Sequence, residues 1–277
     1  MKIEAANTYW VFNGVLEAIP DIMRGQSVEN PVVYEVIRIK NGVPVFLNAH
    51  FNRLEKSMKL MLKGKDMPKW LNSMNQHFHK LVKAEEIINQ NIKIMVWNIG
   101  LPTCSWCMFP IKSTYPSKDV YAQGVDTEIL KSERENPTAK IFHDMLIETV
   151  TAMRKETGVF EVLLADRNDC LTEGSRSNLF LVKGGQVYTA PEGDILHGIT
   201  REKLKSVLQA EGISCISIPL HLDELDTYDG AFLTGTSIHV LPVHAIGTHV
   251  FKSSENQLIK RIMNAFEASI EKDVENV

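Results

Sequence analysis

The sequence lacks the marks of every class outside the ordinary globular one. Its 277 residues hold four cysteines, Cys104, Cys107, Cys170 and Cys215, too few for a disulfide scaffold, and these read as free thiols of a reducing compartment. No stretch approaches the ~18 uncharged apolar residues of a membrane span. The opening MKIEAANTYW carries Glu4 and Asn7 where a secretory segment would be apolar. Neither sign of charge dominates: 30 Lys+Arg stand against 34 Asp+Glu, a formal charge of −4. That balance offers no field to hold nucleic acid or an anionic membrane. There is no G-x-S-x-G and no Walker or dinucleotide glycine loop. With 44% hydrophobic and 23% charged residues, the expectation is a cytoplasmic protein with a sizeable core and a small-molecule partner.

Apolar alternation then sets out the elements. Val32–Ile39 and Pro44–Leu47 flank the Asn41-Gly42 dipeptide and predict a hairpin. A helix is expected from Asn48 to Gly64 and a second after Pro68, with strands at Ile92–Trp97 and Cys104–Ile111. The polar segment from Ser113 to Asp119, which contains Pro116, predicts a linker. It separates a small amino-terminal α+β domain, 1–115, from a larger α/β domain, 120–277. The second half predicts strands at Val120–Ile129, Glu161–Ala165, Asn178–Leu181 and Gln186–Thr189. Helices are expected at Phe142–Thr157, with Phe142, Met145, Leu146, Val150 and Met153 on one stripe, and at Thr200–Gln209. A strand at Ala231–Thr234 and a final helix from about Ser254 complete it.

Cys104-Ser-Trp-Cys107 has redox-pair spacing, but residues three apart on a strand face opposite ways and no further ligands accompany it, so no metal is expected. The stretch Leu171-Thr-Glu-Gly-Ser-Arg-Ser-Asn-Leu-Phe180, followed by Ile195-Leu-His-Gly-Ile-Thr-Arg201, carries more. Gly198 permits close backbone approach, and the amides of Ile199 and Thr200 at a helix start suit an anion such as phosphate. Leu233-Thr-Gly-Thr-Ser-Ile238 adds a second Gly-plus-hydroxyl turn.

Taken in order, Tyr34-Glu-Val-Ile-Arg38, His50-Phe-Asn-Arg-Leu54 with Ser57, the Glu173-to-Asn178 block, Gly198-Ile-Thr-Arg201 and Thr234-Gly-Thr236 leading to Pro242-Val243 resemble the fold type IV pyridoxal-phosphate enzymes. These are the class IV aminotransferases, which include branched-chain and D-amino acid aminotransferases and aminodeoxychorismate lyase. The resemblance implies an α+β, two-domain subunit of the D-amino acid aminotransferase-like type, the cofactor pyridoxal 5'-phosphate in the interdomain cleft, and a homodimer. It implies that Lys140, in the second domain, is the catalytic lysine linked to the cofactor, and that Glu173 is the carboxylate on the pyridine nitrogen. By the same resemblance Tyr34 is a substrate-side catalytic residue and Arg53 a planar donor fork for the phosphate, although helical periodicity alone would leave Arg53 solvated. Ser177, Asn178, Gly198, Ile199, Thr200 and Thr236 complete the implied cofactor contacts, and Thr236 and Ser237 the substrate-carboxylate site.

Three departures bear on the substrate. The segment before the first strand is reduced to Arg24-Gly-Gln-Ser-Val-Glu-Asn-Pro31, Met145 stands where branched-chain members have a tyrosine, and Arg176 lies inside the Glu-Gly block. D-amino acid members carry an Arg-x-His carboxylate clamp in the region of Trp97–Pro110, whereas Ile94–Ile111 here contains no Arg, Lys or His. Ser105 and Cys107 stand at the clamp positions. The expected reaction is amino transfer between a small amino acid, L and perhaps branched-chain, and a 2-oxo acid. The alternatives are an aminodeoxychorismate lyase releasing 4-aminobenzoate and pyruvate, and a non-catalytic binding protein of the same fold.

Overall fold

The computed structural model describes residues 1–29 and 31–275. Packing divides the chain into two compact units: Met1–Thr114 with Ala139–Phe142 and the end of the chain from Asp273, and Tyr115–Thr138 with His143–Lys272. None of the described helices is long and apolar enough to cross a membrane.

In the first unit, β1 (Tyr9–Phe12), β2 (Val15–Ala18), β3 (Val33–Lys40), β4 (Val43–Pro44), β5 (Gln90–Trp97) and β6 (Ser105–Ile111) form one antiparallel sheet in the order β2-β1-β6-β5-β3-β4. Helices α1 (Leu47–Leu62) and α2 (Met74–Ala84) contribute Leu54, Met58, Phe78 and Leu81 to a core with Ile37, Ile92, Ile94 and Trp106. Alternation along β3 sends Val33, Glu35 and Ile37 to one face and Tyr34 to the other, where Tyr34 packs with a second cluster around Trp10, Met95 and Phe109. The β1–β2 hairpin turns at Asn13-Gly14, both with positive φ (47° and 90°). An Asn-Gly turn of this kind matches the twist of its strands.

Ala139–Phe142 joins this unit through its backbone. Val33 bridges Ile141, Tyr34 N–H donates to Lys140 C=O (3.1 Å), and Phe142 N–H donates to Val32 C=O (2.9 Å). Lys140 therefore packs with the first unit, whereas the sequence reading placed it in the second domain. Because Phe142 is drawn to the sheet, the following helix starts later than expected.

The second unit holds α3 (Lys118–Gln123), β7 (Val125–Lys131), α4 (Asp144–Thr157), β8 (Glu161–Ala165), β9 (Cys170–Gly174), β10 (Asn178–Lys183), β11 (Gln186–Thr189), α5 (Ile199–Ala210), β12 (Cys215–Ser217), β13 (Leu220–His221), β14 (Gly230–Gly235), β15 (His239–Ile246), β16 (His249–Val250) and α6 (Gln257–Glu275) as far as Lys272. The strand order is β12-β11-β10-β14-β15-β7-β8-β9-β13. A further pairing of Asn178 on β10 with Glu173 on β9 closes six of these strands into a ring. Leu163, Leu179, Leu181, Leu233, Leu241 and Val243 fill the core.

Two expectations change. The strand foreseen at Val120–Ile129 begins as α3, because Ser117 caps it through Val120 N–H and Gly124, at φ +80°, ends it before β7. The stripe foreseen on α4 is not inward-facing: Val150 is its one buried residue and Met145 is 82% exposed.

Candidate active site

In the first unit the site residues gather on the Lys140 segment and on α1. Alternation in Ala139–Phe142 puts Ala139 and Ile141 into the core beneath the helices. Lys140 then faces the Tyr34 side, its Nζ 4.7 Å from the ring centroid. Ser57, buried on α1, fixes the backbone by accepting from Lys140 N–H at 3.1 Å. A lysine set against an aromatic face and pinned on both sides of its backbone has few ways to swing.

Arg53 is buried, not solvated. Its Nε and Nη2 donate to Glu35 Oε1 and Oε2, both at 2.7 Å, so the bidentate edge foreseen for phosphate is turned to a carboxylate. His50 Nδ1 lies 2.8 Å from Glu35 Oε2. Burial would raise the Glu35 pKa, but the Arg53 charge and the bonds from Arg53 and His50 outweigh it and bring it to about 2. Burial lowers the His50 pKa against the pull of Glu35, helped by the Arg53 and Lys140 charges.

The second unit gathers its own candidate residues at the closure of its strand ring. Glu173 is buried, and its Oε2 accepts from Asn178 Nδ2 (3.2 Å) and from Leu196 N–H (3.1 Å). Arg134 Nε lies 2.9 Å from Glu173 Oε1, off-line for a hydrogen bond but a close ion pair, and its Nη2 donates to Ser175 C=O at 2.6 Å. A cavity of about 240 Å³ lined in part by Arg134, Thr172, Glu173 and Asp194 opens beside them. Asn178 Nδ2 also donates to Leu196 C=O (2.9 Å), which ties the carboxylate to the chain entering α5. Gly198 caps α5, whose first-turn amides, including those of Ile199 and the buried Thr200, lack intrahelical acceptors by geometry.

Ser177 is spent elsewhere. Its hydroxyl donates to Glu161 Oε2 (2.9 Å), and the same buried carboxylate accepts from Ser175 Oγ (2.6 Å) and Arg176 N–H (3.3 Å). Ser177 thus braces the turn from below instead of offering its proton to a ligand. Thr236 and Ser237 lie in the turn between β14 and β15, partly exposed. Ser105 donates to Thr103 C=O (3.0 Å), and burial pushes the Cys107 thiol up, so neither acts as a charged clamp. The cation nearest that register, Lys93, pairs with Glu4 at 3.0 Å. No group of three or more ligating side chains suited to a metal occurs among the described residues. Sequence reasoning missed Arg134 and Glu161 and gave no role to Glu35 and Ser57, which lie in the quoted motifs; what singles all four out is burial or pairing of polar groups, which a charge pattern alone does not show.

The residues fit a phosphorylated pyridine. Thr234 Oγ1, on the strand next to Asn178, is a buried hydroxyl with no hydrogen-bond partner among the described residues. A Cβ at Gly174 or Gly198 would stand 2.1 Å from Ser177 Oγ or Asn178 Oδ1, so each turn is closed to the point where a side chain has no room. A hydroxyl and helix-start amides are donors suited to a phosphate, and a held carboxylate is the acceptor suited to a protonated ring nitrogen.

The model of the class IV amino-transferase family matches residues 32–246, and the chain belongs to that family. It is accordingly a pyridoxal-phosphate-dependent aminotransferase with a fold type IV subunit. Among its relatives are a D-alanine aminotransferase of Bacillus licheniformis, 27% identical over 86% of this chain and 87% of that one, and a branched-chain-amino-acid aminotransferase of Pseudomonas aeruginosa, 22% identical over 84% and 82%. The same fold recurs in the branched-chain amino acid aminotransferase of Thermobaculum terrenum, solved in its PLP form, with a TM-score of 0.81, 19% identity and coverage of 98% and 96%.

Proposed function

We propose that the protein transfers an amino group from a small L-amino acid, aliphatic side chains favoured, to a 2-oxo acid, with Lys140 as the catalytic base. The carrying observation is Lys140 itself, held by Ser57 and by the start of β3 with its Nζ on the Tyr34 ring. When bound, pyridoxal phosphate supplies a ring that accepts the electrons released as the donor's α C–H bond breaks. Lys140 Nζ takes that proton from the donor's α-carbon and would pass it to the cofactor within the same half-reaction. Glu173 holds a proton at the ring nitrogen, paired with Arg134 and aimed by Asn178 and Leu196 N–H. The Ile199 and Thr200 amides bind the phosphate. Arg53, whose bidentate edge Glu35 holds, adds its charge there. Tyr34 lines the substrate side. The donor's carboxylate is bound by the Gly235–Ser237 turn, with Thr236 and Ser237 as donors. The sparse charge of Ile94–Ile111, and the engagement of Lys93 by Glu4, support an L donor over one needing a cationic clamp.

The working form is read as a cytoplasmic homodimer, on the strength of the family resemblance and four free cysteines. Half-reaction rates with L-leucine, L-glutamate and D-alanine test the substrate: L donors should react clearly faster, and a faster D-alanine reaction overturns that part of the reading. Release of 4-aminobenzoate and pyruvate from aminodeoxychorismate would instead support the lyase.

A further inference from the structure

The turn between β14 and β15 is closed by a buried histidine in a sparsely populated backbone conformation. His239 sits at φ +48°, in the left-handed region that few non-glycine residues enter and that histidine, like asparagine, adopts more readily than most. It is also buried, at 6% exposure, although most of its neighbours in the turn are partly open. A strained conformation of this sort persists only where surrounding contacts hold it. Those contacts come from α6. His239 Nδ1 is hydrogen-bonded to Glu267 Oε1, and its ring meets Phe266 edge to face with centroids 6.0 Å apart. On the other flank, Tyr121 of α3 donates its hydroxyl to Ile238 C=O at 2.9 Å. Gly235 and His239 pair across the hairpin, so Thr236, Ser237 and Ile238 are the residues between two fixed posts.

We propose that His239 is a positioning residue: its bond to Glu267 sets the conformation in which Thr236 and Ser237 present their hydroxyls and amides to the donor's carboxylate. This rests on the reading above that the Gly235–Ser237 turn is the carboxylate site. The ring acts as a peg driven into α6. The left-handed backbone at His239 reverses the chain tightly enough to keep the turn's donors pointing one way, and the turn follows α6 through Glu267. A glycine would allow the same backbone without holding it.

Four variants of the holoenzyme test this: His239→Gly, Glu267→Gln, their double, and Thr236→Val. KM for the amino donor, kcat, the dissociation constant of pyridoxal phosphate and the melting temperature are measured for each. His239→Gly should keep the left-handed backbone and the melting temperature within about 3 °C, and raise donor KM about 10-fold, with kcat falling less. Glu267→Gln should move KM in the same direction, and the double variant should be no worse than His239→Gly, because both remove one interaction. A fall in melting temperature with KM unchanged would mean a purely structural peg and would overturn the proposal. An effect of Thr236→Val on KM without one of His239→Gly would overturn it while leaving the carboxylate reading in place. No effect of either would overturn both. Should His239→Gly fail to fold, His239→Asn, which tolerates the same φ, carries the same comparison.

Discussion

Replacing Glu35 by Gln removes the anion beneath a buried guanidinium and leaves nearly everything else of the side chain in place. In the native protein the carboxylate takes two 2.7 Å bonds from Arg53 and one 2.8 Å contact from His50, and no part of the Glu35 residue is exposed. Breaking one side of such a pair leaves a buried charge uncompensated, which costs about 3–5 kcal/mol. The pH dependence is the sharper test. The Arg53 and His50 contacts hold the folded Glu35 carboxyl at about 2, against 4.5 for an ordinary glutamate, so between these values the unfolded chain binds the proton and the folded one does not. Stability from this group is therefore fully present above about pH 4.5 and is lost as pH falls towards 2. At about 1.36 kcal/mol per unit, the loss reaches about 2 kcal/mol by pH 3. His50 has a lowered folded pKa, and that contribution too is lost as pH falls below the ordinary histidine value. Urea midpoints of wild type and Glu35→Gln, taken between pH 7 and pH 3, should converge as the pH drops. A stability difference that stays constant across that range would refute the assignment of the low pKa to this pair.

Two further outcomes follow from the second unit. Glu173→Gln removes the ionic partner proposed for the ring nitrogen, an interaction of ~3 kcal/mol in the transition state, and should slow the half-reaction roughly 100-fold; unchanged turnover would show that another group holds that nitrogen. Gly198→Ala places a Cβ where Asn178 Oδ1 stands 2.1 Å away. Overpacking of about 1–3 kcal/mol should then displace Asn178 and weaken binding of pyridoxal phosphate, as titration of the apoprotein would read; equal affinity would mean that the turn relaxes freely.

The strands and helices with clean periodicity were legible in the sequence: β3, β5, α1, α2 and α5 stand close to where alternation and helical spacing put them. The β1–β2 hairpin was not read, although Asn13-Gly14 carries the same signal as Asn41-Gly42; its residues are mostly exposed, so the alternation around the turn is faint. Lys140 shows the limit of local reading. Nothing in Asn136-Pro-Thr-Ala-Lys-Ile141 says that four residues leave one unit to pair with the start of β3, because that pairing is made by backbone groups any residue has. Glu173, Asn178 and Gly198 are singled out by resemblance, and the structure brings the three together. The groups that aim them, Arg134 and Glu161, lie outside any motif and emerge only when burial shows which polar atoms need partners.

The central claim is that Lys140 bears the cofactor. Borohydride reduction of the purified holoenzyme, followed by proteolysis and mass mapping, tests it most directly. The account predicts a phosphopyridoxyl mass on the single peptide containing Lys140 and its loss in Lys140→Ala; label on any other lysine, or none, would contradict it.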